Sequence, residues 1–185
     1  MRLYRQTVED FGLYAGKTLE DAELAQLKTA AGQMSAKMRA VRIVSASTIS
    51  KAALEQRLIQ KGESRENAQN AVAWMENMDL LDDEKTAQQV VEHCISRGYG
   101  LARAKQALYE KHIPKVYWAD ALADYPDQEE KILAFLRSRL GNSWEEKDLR
   151  RAVDALLRRG HSYGQIRKAL NELSQDVDLQ GDFYG

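Results

Sequence analysis

The 185-residue chain is 44% hydrophobic and 30% charged, an ordinary composition for a soluble globular protein with one large or two modest domains. Its 27 basic and 28 acidic side chains leave a net charge of −1, so whole-molecule charge predicts neither nucleic-acid nor membrane attraction, and local charge has to decide. The single cysteine, Cys94, excludes an internal disulfide and fits a reducing cytosol; no apolar run approaches the roughly 18 residues of a membrane span, the first residues lack a signal-peptide core, and the protein is expected to be cytoplasmic.

Apolar residues return at spacings of three and four almost throughout, and Pro114 and Pro126 are the chain's two prolines, so the expected fold is all-α. In chain order, Phe11-Gly12-Leu13 and Gly16 suggest a turn. Thr18 and Asp21 then make a capping-box-like start for a helix carrying Leu24, Leu27 and Ala31. A helix over Met34 to Val44 follows, then one capped by Thr48 or Ser50 with Leu54 and Leu58 inside. Gly62 stops it, and Ser64 opens a helix with Ala68, Ala71, Val72 and Met75. The clearest segment, Asp83 to Ser96, places Ala87, Val90, Val91 and Cys94 on one face and ends at Gly98. Leu101, Ala104 and Leu108 line the next helix, and Pro114 starts another. Ile132, Leu133, Leu136 and Leu140 form a further stripe up to a break at Gly141-Asn142-Ser143. Leu149, Val153 and Leu156 follow, closed by Gly160, and Ser162 caps the helix of Ile166, Leu170 and Leu173. From Asp176 onward three acids and no periodicity indicate a frayed tail.

A recurrence runs through these elements. Arg97-Gly98 precedes Ala107-Leu108 by ten residues, Arg159-Gly160 precedes Ala169-Leu170 by the same distance, and Ser47-Thr48 leads likewise to Arg57-Leu58. This frame aligns Leu54, Ala104 and Ile166, and Leu58, Leu108 and Leu170. A period of about 50 to 60 residues predicts a stack of similar helical units, elongated and curved, which favours binding over catalysis. The expected divisions are an N-terminal segment (1–32), three repeats of three helices (33–80, 81–125, 126–175) and a flexible acidic tail (176–185).

Catalytic chemistry finds little footing. His93, His112 and His161 lack metal-ligand spacing, and no glycine pattern makes a phosphate cradle. His93 reads as a helix-surface residue, His161 as the residue at a helix start where other units have Ile49 and Tyr99, and Cys94 as a buried filler. The acids Asp79, Asp82, Asp83 and Glu84 read as helix N-terminal caps rather than a metal site. Trp74, Trp118 and Trp144 read as packing residues. No enzyme, metal or cofactor is expected.

Charge is unevenly spread: residues 131–170 hold ten basic and four acidic side chains, residues 63–93 eight acidic and two basic. Arg150, Arg151, Arg158 and Arg159 can form a basic stripe continued by Arg167 and Lys168. Arg97, Arg103, Lys105, Lys111 and Lys115 occupy comparable places in the middle unit. Arg97 matches Arg159, and Lys105 matches Arg167, which suggests a cationic track that contacts a partner or DNA. A merely solvated face is the plainer alternative.

Leu80-Leu81-Asp82-Asp83-Glu84, Arg97-Gly98-Tyr99-Gly100, Lys105, Leu108 and Lys111-His112-Ile113 resemble the middle repeat of the RecX family of recombinase regulators. Leu156-Leu157-Arg158-Arg159-Gly160-His161-Ser162-Tyr163 with Ile166 and Leu170 resembles its third repeat, and Leu54 and Leu58 with Lys61-Gly62 its first. The resemblance covers about residues 34–174. This chain has Ala46-Ser47-Thr48 where family members often carry arginines, and His161 where phenylalanine is usual. The resemblance implies a monomeric modulator that binds the RecA recombinase filament on DNA and lowers its ATP hydrolysis and strand exchange, with DNA bound weakly alone and more strongly within the filament. The alternatives are a helical nucleic-acid-binding module, which shares short helix pairs with duplex readers, and a helical scaffold for another protein.

Overall fold

The three-and-four periodicity is realised as helix after helix. The computed structural model describes residues 3–141 and 144–181, the last stretch, 175–181, as backbone only. Among the described residues there are ten α-helices and one 3₁₀ turn, and no strand: α1 (Arg5–Asp10), α2 (Asp21–Ala46), α3 (Lys51–Gln60), α4 (Arg65–Asn77), α5 (Asp83–Ser96), α6 (Leu101–Glu110), the 3₁₀ turn (Lys115–Tyr117), α7 (Trp118–Leu122), α8 (Glu129–Leu140), α9 (Glu146–Arg158) and α10 (Tyr163–Gly181). The chain divides into two compact units after Thr86.

In the first unit α2, α3 and α4 close on a core of Ala36, Ala40, Ile43, Ile49, Leu54, Leu58, Ala68, Ala71, Met75 and Leu81. Small residues let α2 and α4 approach closely; a Cβ on Gly32 would meet the Asn67 side chain at 2.7 Å. The second unit holds two clusters. One joins α5 and α6 through Ala87, Val90, Val91, Leu108 and Ile113, with Trp118, Ala121 and Leu122 of α7 packed against it. The other joins α8, α9 and α10 through Ile132, Leu133, Leu136, Leu140, Ala152, Leu156, Ile166, Ala169 and Leu173. Leu54, Ala104 and Ile166, aligned by the ten-residue frame, are all fully buried.

Several local expectations need correction. α2 continues without a break from Asp21 to Ala46, so the helix expected to end near Ala31 and the one expected from Met34 are a single element. Its N-cap is Glu20, with no side-chain cap bond, and not Thr18. The short α1 precedes the turn at Phe11-Gly12 and was not expected from the pattern, because one and a half turns give too few positions for a period. Backbone helix in α10 runs past Asp176 to Gly181. Asn142, Ser143 and residues 182–185, parts of the expected break and tail, lie outside the described residues.

The helix ends share one device. After α3, α5 and α9, glycines 62, 98 and 160 take φ of +91°, +67° and +85°. In each case the glycine N–H bonds back to Ile59, Ile95 or Leu157, and the next N–H bonds to Leu58, Cys94 or Leu156. This paired closure satisfies carbonyls the helix would otherwise leave free. α4 and α6 end in the same bonding pattern with Asp79 and His112 at φ +54°. Asp79 therefore terminates α4 and is not an N-terminal cap of α5, as the acidic run suggested. The glycine closure follows the first helix of the middle cluster and the second helix of the last. The closures of α5 and α9 are the two that the ten-residue frame matches, whereas in the first unit that frame falls on the extended Ser47 after α2 and not on Gly62.

Candidate functional site

Helix starts place the polar side chains. Ser50 Oγ accepts from Ala53 N–H, and Ser64 Oγ from Asn67 N–H, both at 3.2 Å. Asp82 accepts from the Glu84 and Lys85 N–H groups at 2.9 and 3.1 Å, and the Lys85 backbone bond leads in holding its carboxyl below the usual carboxylate range. Asp83, in the first turn of α5, reaches across to accept the Lys51 N–H at the start of α3 at 2.8 Å. Its burial pushes its pKa up, against the opposing pull of that bond. Ser162 and Gln165 form a reciprocal box: Ser162 Oγ accepts from Gln165 N–H at 3.2 Å while Gln165 Oε1 accepts from Ser162 N–H at 3.0 Å.

Within the second unit, the two glycine turns matched by the ten-residue frame lie against each other. Gly100 N–H donates to the Arg159 carbonyl at 2.9 Å and Ala102 N–H to the Gly160 carbonyl at 3.3 Å. The carbonyl end of α9 thereby fills the donor end of α6, a pairing that also aligns opposite ends of two helix dipoles. His161, 4% exposed, places Nε2 at 3.0 Å from the Gly98 carbonyl. That contact requires the Nε2–H tautomer, and the buried Nδ1 has no partner among the described residues. Burial, chiefly, holds the His161 pKa below the ordinary value. Lys131 Nζ completes the junction by donating to the Ile95 carbonyl at 2.5 Å, at the end of α5. Tyr125 OH donates to the Tyr99 carbonyl at 2.7 Å, and burial pushes its pKa up to about 12. Cys94 is buried, with its thiol pKa raised by burial, and His93 is exposed. Among the described residues no three His, Cys, Asp or Glu come together to hold a metal.

The eleven cations singled out by the sequence fall into different groups. Arg97, Lys105, Lys115, Arg150, Arg158 and Arg167 are exposed and take no ion pair among the described residues. Arg103 is engaged along its own helix by both Glu110 oxygens at 3.1 Å. Arg151 leans on Asp148 at 3.4 Å. Arg159 lies over the Phe135 ring at 4.6 Å, and Lys168 pairs with Glu129 at 2.7 Å, tying α10 to α8. Lys111 is exposed at the end of α6. At about 100° per residue, Lys147, Arg150, Arg151 and Arg158 all fall within about 60° of the pole of α9 opposite Ala152 and Leu156. Lys105 and Arg167 each directly follow a fully buried residue of the matched pair Ala104 and Ile166. A further group, in the first unit, escapes a windowed charge count: Arg39, Arg42, Arg57 and Lys61 line a cleft of about 360 Å³. Its sequence signal is a pair of cations three apart on α2 and a second pair four apart at the end of α3, Arg57 in its last turn and Lys61 at its C-cap.

The class so defined is an all-helical protein that presents several unpaired cations to solvent among the described residues. No helix among the described residues is long and apolar enough to cross a membrane. No family model matches the chain. It is 27% identical over 142 residues to regulatory protein RecX of Vibrio vulnificus (strain CMCP6), covering 75% of this chain and 93% of the relative. It is 26% identical over 152 residues to regulatory protein RecX of Vibrio parahaemolyticus, covering 80% and 98%. The fold is shared with a crystal structure of regulatory protein RecX, at a TM-score of 0.69 and 20% identity over 91% of this chain and 86% of that one. A crystal structure of RecX from Lactobacillus salivarius gives 0.66 at 22% identity over 79% and 99%. The chain is thus similar in sequence to regulatory RecX proteins and shares the fold of the RecX crystal structures.

Proposed function

We propose that this chain acts as a monomer on the RecA recombinase filament assembled on DNA, and that it inhibits the filament's ATP hydrolysis and strand exchange. The observation that carries the proposal is similarity to regulatory RecX proteins over three quarters or more of the chain. The unpaired cations Arg97, Lys105, Arg158 and Arg167 on the matched helix–turn–helix units support it, since an anionic filament attracts such side chains and makes association salt-dependent. In this reading helical units that touch neighbouring recombinase subunits oppose their ATP-linked movements, and the track carries no reacting group.

The test is recombinase ATPase and strand exchange on single-stranded DNA, with the protein added up to stoichiometric coverage. Both activities are expected to fall as the filament is covered; full activity at saturation would rule the proposal out.

A further inference from the structure

Four cations of the first unit are no part of the track on α5, α6, α9 and α10. Arg39, Arg42, Ile43 and Ala46 share a stripe of α2, and Arg57 and Lys61 lie one turn apart at the end of α3. With Ser47 they line the open cleft of about 360 Å³. Arg39 is fixed in it: Nε pairs with Glu63 at 2.8 Å and Nη1 donates to the Lys61 carbonyl at 3.1 Å. Glu63 is further committed to Ser35 Oγ at 3.0 Å. The side chains of Arg42, Arg57 and Lys61 are exposed and have no ion pair or hydrogen bond among the described residues. Three unneutralised positive charges around one cleft repel each other, and an anion between them relieves that repulsion.

We infer that this cleft binds a phosphate of a nucleic-acid strand. Guanidinium forks match phosphate oxygens two at a time, and the Lys61 ammonium adds a point charge beside them. The apolar flank of Ile43 and Ala46 suits a sugar next to the phosphate. The cleft is open rather than enclosed, so a strand can continue beyond it on both sides. Recombinase plays no part here, and the proposal stands or falls separately from the filament reading.

The experiment is fluorescence anisotropy of a short labelled oligothymidylate over a range of salt concentrations, with no recombinase present. Arg42→Gln, Arg57→Gln and Lys61→Met are combined. Lys28→Gln, on α2 about 16 Å along the helix from Arg39, serves as a single-charge control outside the cleft, matched to Arg57→Gln alone. The triple variant is expected to bind roughly tenfold more weakly, with a log–log salt slope shallower by about two, while the control stays near the parent. All three side chains are exposed, and urea denaturation verifies the fold; should the triple variant fail that check, Arg57→Gln alone should still flatten the slope by about 0.7. Unchanged affinity and slope, or no strand binding by the parent protein, overturns the proposal. Equal binding of a mononucleotide through the same three residues overturns it in favour of a free nucleotide. Stronger binding of a polyglutamate peptide overturns it in favour of an acidic protein segment.

Discussion

His161 shows how one side chain ties stability to pH. The Nε2–H bond to Gly98 is open to both forms of the ring, whereas the enclosed Nδ1, with no partner among the described residues, favours the neutral one. Burial, followed by the nearby charge of Arg159, acts against the imidazolium, while the Gly98 bond and Asp127 act for it, and the net direction is downward from 6.5. A pKa lower in the folded than in the unfolded chain means that the unfolded chain binds the proton more readily. The stabilisation is therefore complete above 6.5 and is lost as pH falls below that value through the folded pKa. The urea midpoint is expected to drop between about pH 7.5 and pH 5. His161→Phe forfeits the Gly98 bond, costing about 1 kcal/mol at the upper pH, and should remove this part of the pH dependence, so that parent and variant converge in acid. A variant that keeps the full acid-side fall would assign it to other groups. The chain pattern placed His161 at a helix start beside its counterparts Ile49 and Tyr99; its hydrogen bond to a carbonyl 63 residues away has no local signature and was legible only in three dimensions.

At the level of elements, the glycine turns separate two physical demands that look alike in sequence. Gly62 has φ +91° and open space for 4 Å around the place a Cβ would take, whereas a Cβ on Gly100, at an ordinary φ of −80°, would fall 2.1 Å from the Gly160 carbonyl oxygen. Gly160 combines both conditions, with φ +85° and Arg103 N at 2.2 Å. Gly62→Ala should cost only the left-handed penalty, about 1–2 kcal/mol. Gly160→Ala adds the loss of the α9–α6 junction and should exceed about 3 kcal/mol, with Gly100→Ala destabilising through sterics alone. Urea denaturation of the three variants measures the order; equal costs for Gly62→Ala and Gly160→Ala would mean the junction yields without penalty. Gly62, Gly98 and Gly160 were readable as helix stops because each ends an apolar stripe, and Ser64 and Ser162 as caps because each opens one, while Thr48 and Ser50 stayed alternatives that the structure resolves to Ser50. Asp79 and His112, which perform the same left-handed closure, were not, since the aspartate sits in an acidic run that suits a helix start equally well. The meeting of two matched turns in the second unit was hidden for another reason: a recurrence along the chain specifies similar units, not which of their turns touch.

For the whole molecule, a net charge of −1 conceals side chains in very different states. Arg159 and Lys168 spend their charge on packing and pairing, over Phe135 and against Glu129, whereas Arg97, Lys105, Arg158 and Arg167 face solvent without a partner among the described residues. The basic excess in residues 131–170 was plain in the sequence, but composition alone could not divide it into these two sets, because the division depends on which aromatic or carboxylate lies opposite each cation. Only the solvent-facing set can exchange small counterions for phosphates at little structural cost. Neutralising Arg97, Lys105, Arg158 and Arg167 to Gln should therefore leave the urea midpoint nearly unmoved, since exposed substitutions of this kind usually stay within about 0.5 kcal/mol. The same variant should weaken association with a recombinase–DNA filament and flatten its log–log salt slope by about three, at roughly 0.7 to 0.9 per lost phosphate contact. Arg159→Gln together with Lys168→Gln should show the reverse balance, a lower midpoint with a smaller change in slope. Filament co-sedimentation across a salt series, paired with denaturation of both variants, distinguishes the two sets; an unchanged slope in the fourfold variant would reduce the matched cations to a solvated surface.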